Sequence, residues 1–402
     1  MQQVLRTPEL FLSIVEFQEG LYEDIRPIVK VIEPMVHARR KTIKSPEDLE
    51  NFDMIFRPWY DEFGTYGITR LLRCRKNFVH FLFYYAVSYG IVDLIYHLDG
   101  HYSLHDFPQA IDLAARGGHL NIVEWLDQHG FTGCSTDAMD RAAEGGYLDL
   151  LRYLHEHRHE GASPAGMNWA CARGHIEIVM YMHENNLGGC TSKAMDWAAR
   201  EGYFSIVQYL HEHRAEGCTT DAMDWAAREG HLDIVSFLHS NRTEGCTRNA
   251  LDYAACHGHL SIVEFLNKNR NEGATERAMD LAATFGHLAV VKYLHENRHE
   301  GCTTDAMDGA AKNGHLEVII FLDTYRIEGC TTAAMDYAAS YGHFEIVKYL
   351  QEHRKEGCSS RGMLWAAKHG HLNIVEFLEE KYPNQWSRRA ATFKDKRSKM
   401  ET

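Results

Sequence analysis

The feature that most constrains this chain is a period. From His231, steps of 28 residues land on His119, Tyr147, His175, Tyr203, His259, His287, His315, His343 and His371 with no slip in register. A unit that short cannot enclose a core of its own. Each copy must bury its apolar face against the next, which makes the chain a solenoid.

One copy, Gly217 to Glu244, shows how a unit is built. Ala222, Met223, Ala226 and Ala227 mark one side of a short helix, and Thr219 or Thr220 can cap it by accepting an amide of its first turn. Gly230 ends that helix, since glycine readily takes the left-handed conformation that closes one. Asp233 then faces the positive end of a second helix, whose apolar stripe is Leu232, Val235 and Leu238. Gly217 and its equivalents, from Gly133 to Gly357, are expected to close each second helix. The spacing predicts ten first helices near 107–117, 136–145, 164–173, 192–201, 220–229, 248–257, 276–285, 304–313, 332–341 and 360–369.

The word Ala-Ala-x-x-Gly-His-Leu-x-Ile-Val-x-x-Leu, seen at Ala226 to Leu238 and in most other copies, resembles the ankyrin repeat over roughly residues 77–380. The resemblance implies an all-α helix-turn-helix solenoid with a helical N-terminal cap. It also implies a non-catalytic scaffold that binds a protein partner along the array. Two features depart from the family. The usual ankyrin period is about 33 residues, and its Thr-Pro-Leu-His opening is replaced here by Asp221 to Asp224. The missing residues fall between helix pairs, so the projecting β-hairpin finger is expected to shrink to a tight turn.

Three regions follow from the register. Residues 1–76 contain no copy and are expected to form the helical cap. Residues 77–380 form an eleven-repeat array, beginning with a degenerate copy at 77–104. Residues 381–402 are basic, an expected disordered tail with a weak nuclear-import signal. Within the cap, Pro8 to Phe17 looks like the opening helix of an F-box, so an alternative function is a substrate adaptor of a ubiquitin ligase. The later Val-Cys and tryptophan of that motif are missing. Arg70 to Arg73 matches an effector translocation word by chance.

With 45% apolar and 24% charged residues and a net charge of −14, the chain has the balance of a folded soluble protein, and nucleic acid is not an expected main partner. No apolar run nears the roughly 18 residues that span a membrane, and no signal peptide is evident. A monomer in the cytoplasm, or in the nucleus, is the expectation. Seven of the ten cysteines share one column, Cys134, Cys190, Cys218, Cys246, Cys302, Cys330 and Cys358, with alanine at Ala162 and Ala274. Packed helices lie about 8–10 Å apart, beyond the roughly 7 Å Cα limit of a disulfide. These are expected to be buried, reduced thiols.

The histidine column tempts one toward a metal site, but tyrosine replaces it twice, and repeat spacing is far wider than a coordination shell. A column of aspartates, Asp112, Asp140, Asp196, Asp224, Asp252, Asp280, Asp308 and Asp336, is expected to accept amides of an adjoining turn. No catalytic constellation, cofactor motif or metal-ligand spacing is found. Function is left to the surface. The residue before the helix-ending glycine varies without a packing rule, and the resemblance places that position on the partner-binding side. Candidate contact residues are therefore Trp197, Trp225, Arg228, Glu229, Phe285 and Tyr341, with the two exposed-position aromatics as anchors.

Overall fold

A computed structural model describes residues 17–18, 21–37, 46–102, 104, 107 and 109–382. The chain divides into two compact units, Met1–Cys190 and Thr191–Thr402. Among the described residues are 24 α-helices, and the only extended pairing is the two-residue strand Phe17–Gln18 against Leu21–Tyr22. The architecture is an all-α helical solenoid. Apart from Phe17, the F-box-like segment lies outside the described residues, as does the tail beyond Tyr382.

The first unit opens with helices Arg26–His37 and Pro46–Cys74, the latter broken at Gly64, where φ is 53°. Phe52 and Phe56 set their rings against Tyr85 at centroid separations of 4.9 and 5.1 Å, so the Pro46–Cys74 helix covers the apolar flank of helix Val79–Tyr89. Edge-to-face packing of this kind adds to the area buried. Asp24 accepts from Trp59 Nε1 at 2.9 Å and pairs with Arg70 at 2.7 Å, which fixes the turn before helix Arg26–His37. Four helix pairs follow: Val79–Tyr89 with Val92–Asp99, Ala110–Arg116 with Leu120–Gln128, Thr136–Gly145 with Leu148–His157, and Pro164–Arg173 with Ile176–Glu184.

The second unit is seven pairs. Its first helices are Lys193–Arg200, Thr220–Glu229, Arg248–Cys256, Glu276–Thr284, Thr304–Asn313, Thr332–Tyr341 and Ser360–His369. Its second helices are Phe204–His213, Leu232–Asn241, Leu260–Asn269, Leu288–Asn297, Leu316–Tyr325, Phe344–His353 and Leu372–Lys381.

The copy at 217–244 shows why the word folds this way. Thr219 is the cap, its hydroxyl accepting from the Asp221 amide at 3.1 Å. Gly230 closes the helix at φ 94°. Ala226 and Ala227 are fully buried, which lets neighbouring first helices approach closely. Ile234, Val235 and Leu238 form the buried stripe of the second helix, each contributing about 1.5–3 kcal/mol of burial. Leu232 is only half buried, so Ile234 takes the place expected for it.

The glycine expected to close the second helix does something else. The helix Leu232–Asn241 ends at Arg242, in extended conformation, with its amide on the Leu238 carbonyl at 2.9 Å. Gly245 follows three residues later at φ 75°. The corresponding Gly217 has a second reason to be glycine: a Cβ there would meet the guanidinium of Arg242, at the end of the helix pair that follows it.

Candidate functional site

Three recurring links fix each copy onto its neighbour and thereby decide which surface is left over. The first is the aspartate column. Asp196 accepts the backbone N–H of Thr219 on Oδ1 at 2.7 Å and its hydroxyl on Oδ2 at 3.0 Å. The same pattern ties Asp112 to Ser135, Asp140 to Ser163 and Asp280 to Thr303. Burial pushes the carboxyls of Asp196 and Asp280 up, and these hydrogen bonds offset only part of that. The bonds satisfy a group that would be costly to bury alone.

The second link is the histidine column. His231 Nε2 lies 3.1 Å from the Arg200 carbonyl and His259 Nε2 3.0 Å from that of Arg228. Each imidazole thus donates to the end of the preceding first helix, where a carbonyl lacks an intrahelical partner. Burial holds His259, His287 and His315 below the usual histidine range, although the bond to the carbonyl pulls the other way. No group of three His, Cys, Asp or Glu among the described residues is placed to hold a metal ion.

The third link was missed in the sequence. Arg242 pairs with Glu244, and the same pair recurs as Arg270–Glu272, Arg298–Glu300, Arg326–Glu328 and Arg354–Glu356. Glu244 reaches back to the amide of Cys218 at 3.3 Å, and Glu300 to that of Ala274 at 3.3 Å. The hydrogen bond from Arg298 outweighs burial and holds the Glu300 carboxyl down at about 2. The word Arg-x-Glu-Gly, which precedes five of the seven column cysteines as well as Ala162 and Ala274, was the available signal. The thiols sit under these clips: burial, reinforced by the neighbouring carboxylates, pushes Cys218, Cys246 and Cys302 up to about 12. None of the ten cysteines is held in a disulfide.

These links recur through most of the region that identifies the family. Residues 139–224, 197–280, 223–308 and 307–388 match the family model described as ankyrin repeats (3 copies). This chain belongs to the ankyrin-repeat family. No curated protein matches it. The repeats make it a protein-interaction scaffold, and no described helix is long and apolar enough to cross a membrane.

Each first helix of the second unit keeps a solvent-exposed side. Phe285 is 52% exposed and Tyr341 is 55% exposed, each next to the glycine turn of its copy. Arg228 and Glu229 are also exposed and lie 3.5 Å apart. They line an open hollow of about 520 Å³ together with Arg200, Glu201 and His231. Trp197 and Trp225 are half buried. The Lys193 ammonium stands 5.8 Å over the Trp197 ring, and the Arg200 guanidinium 5.9 Å over Trp225. Phe285 and Tyr341 are more exposed than these two indoles. Phe285 and Tyr341 belong to alternate copies, with Lys312 and Asn313 on the copy between them. The structure brings Arg228 and Glu229 together and spaces the two aromatics apart.

Proposed function

We propose that this protein is a non-catalytic scaffold that holds a partner protein against the first-helix side of its ankyrin array, around Trp197, Trp225, Arg228, Glu229, Phe285 and Tyr341. The observation that carries the reading is the exposure of Phe285 and Tyr341 on a helix end that is polar in most other copies. Large apolar rings in water are a cost that a binding surface recovers on docking. Elsewhere the variable column holds Arg173, Glu201, Glu229, Asn313 and His369, and its other aromatic, Tyr89, packs on Tyr85 at a centroid separation of 4.8 Å. The reading assigns residues 1–76 to a cap over the array at 77–380, and places the protein in the cytoplasm or nucleus as a monomer.

The test is to recover partners by proximity labelling and measure their affinity for the F285A/Y341A variant. Anchors of this type cost about 2 kcal/mol or more when truncated. Unchanged affinity in that variant, with weaker binding in variants of Glu264, Lys292 and Lys348 on the second helices, would move the site to the opposite side.

A further inference from the structure

The charges on the first-helix side are not distributed like those of the rest of the molecule. Along a helix, positions i, i+4 and i+7 share one face. That face carries Asp221, Trp225 and Arg228 in one copy, Arg277, Leu281 and Thr284 two copies on, then Asp305, Gly309 and Lys312, and finally Arg361, Trp365 and Lys368. In the early copies of the second unit its charge is neutralised locally, because Arg200 is paired with Glu201 at 2.6 Å and Arg228 with Glu229 at 3.5 Å. From Glu276 onward this changes. Arg277, Lys312, Arg361 and Lys368 are all exposed, none has a carboxylate of a described residue within pairing distance, and Asp305 is the one acid on the same face. The second helices of these copies carry exposed acids instead, among them Glu317, Glu345 and Glu376. A chain of net charge −14 thus presents one basic stripe, and Phe285 and Tyr341 stand in it.

The order along the stripe is Phe285, Lys312, Tyr341, Lys368, one residue per copy. Neighbouring packed helices lie about 8–10 Å apart, and an extended chain advances about 3.3 Å per residue. One copy therefore matches about three residues of an extended segment laid along the row. Gly309 has no side chain where neighbouring copies carry Leu281 and Tyr337, and the Thr284 side chain of the copy before lies over it.

We infer that the stripe from Phe285 to Lys368 binds an extended acidic segment of a partner protein, in which an apolar side chain and a carboxylate alternate about every third residue. This rests on the first-helix side being the binding surface and adds the chemistry of what binds there. The apolar side chains pack on Phe285 and Tyr341, and the carboxylates pair with Lys312 and Lys368. Charge complementarity of this kind sets specificity and speeds association. A nucleic acid fits less well: the sequence pI is about 6.0, and a single cation per copy neutralises few phosphates.

The full chain should be titrated, by fluorescence anisotropy, into a labelled synthetic peptide with phenylalanine and glutamate alternating at every third position. A glutamine-for-glutamate peptide and an oligothymidylate serve as comparisons. The glutamate peptide should bind about tenfold tighter than the glutamine peptide and weaken as salt rises. K312E/K368E should lose about tenfold of that affinity, with K312Q/K368Q as a milder variant should the reversal disturb folding. K292E/K355E, on the second-helix side, should bind as the parent does. Equal affinity for the two peptides, no effect of either lysine pair on the stripe, tighter binding of oligothymidylate, or no binding of the glutamate peptide overturns the acidic partner. If F285A/Y341A still weakens a recovered partner in any of those cases, the first-helix side remains the binding surface and only its chemistry is wrong.

Discussion

Thr219 binds Asp196 twice, through its amide at 2.7 Å and its hydroxyl at 3.0 Å, while the same hydroxyl accepts the Asp221 amide at 3.1 Å. One side chain therefore caps its own helix and locks it to the helix of the copy before. An Asp cap would offer no proton to the buried carboxylate, which fits the Ser and Thr found at this position, and the carboxylate accepts on both oxygens, with Asn168 standing in that column in one copy.

The first prediction follows for Asp252, which makes the same two bonds to Thr275 at 2.8 and 2.6 Å. Asp252→Ala orphans a buried amide and a hydroxyl, at a cost of about 1–3 kcal/mol. Thr275→Ser should be nearly silent, since Ser135, Ser163 and Ser359 already occupy this column. Hydrogen exchange at the Thr275 amide gives a local readout alongside urea melts. Exchange no faster in Asp252→Ala than in a surface variant such as Glu264→Ala would show that the bond contributes nothing.

The histidine column sets a pH dependence whose sign can be worked out. Burial lowers the folded-state pKa of His259, His287 and His315 below the ordinary 6.5. Between those limits the unfolded chain binds protons that the folded chain refuses, so stability falls as pH drops through about 6.5 and toward the lowered folded values. Tyrosine is tolerated in this column at Tyr147 and Tyr203. H259Y/H287Y/H315Y should therefore fold and lose part of that slope, measured as melting temperature between neutral and mildly acid pH. A slope identical to the parent's would rule the imidazoles out as its source.

The thiols should be slow to react. Burial pushes Cys330 up to about 11 and Cys302 up to about 12, so little thiolate is present near neutral pH and alkylation must wait for local opening. All ten cysteines should titrate in denaturant without reductant, and only the half-buried ones, such as Cys256 and Cys74, should respond early in the native protein. Fewer than ten titratable thiols, or zinc bound in stoichiometric amount, would disprove this.

The solenoid was legible in the sequence because a repeat compares itself with itself. The helices, the Thr219 cap, the closing glycine at Gly230 and the role of Asp224 could all be reasoned from columns that barely vary. What escaped was contact across copies. The spacing assigned Gly217 to helix closure, since a sequence column cannot show that Arg242, beyond the helix pair that follows, lies over it. The histidine column could be recognised as structural, but its partner, a carbonyl 31 residues upstream, is a matter of packing. The basic stripe went unread for a different reason. Arg277 and Lys312 look unremarkable one at a time, and only the pairing of Arg200 and Arg228 with their neighbouring glutamates shows that the later cations are left without such partners.

The last prediction concerns modularity within the second unit. Deleting 220–247 removes one 28-residue copy and joins Thr219 to Arg248, which already follows a threonine in the parent chain. The Thr219 cap and its bonds to Asp196 are retained, and His259 is brought into register with the Arg200 carbonyl that His231 had used. Each copy contacts chiefly its neighbours, so the shortened array should fold with helical signal reduced only by the helices removed. Two variants supply the contrast. Ala227→Leu overfills the approach between first helices and should cost about 1–3 kcal/mol. Deleting 220–243 instead leaves Glu244 to Thr247 as a stray insertion, displaces Thr219 from the capping position and leaves the Asp196 carboxylate facing the wrong turn. It should be destabilised well beyond the in-register deletion. Circular dichroism and thermal melts compare all three, and an in-register deletion that melts no higher than the out-of-register one would refute the interchangeable-copy account of this array.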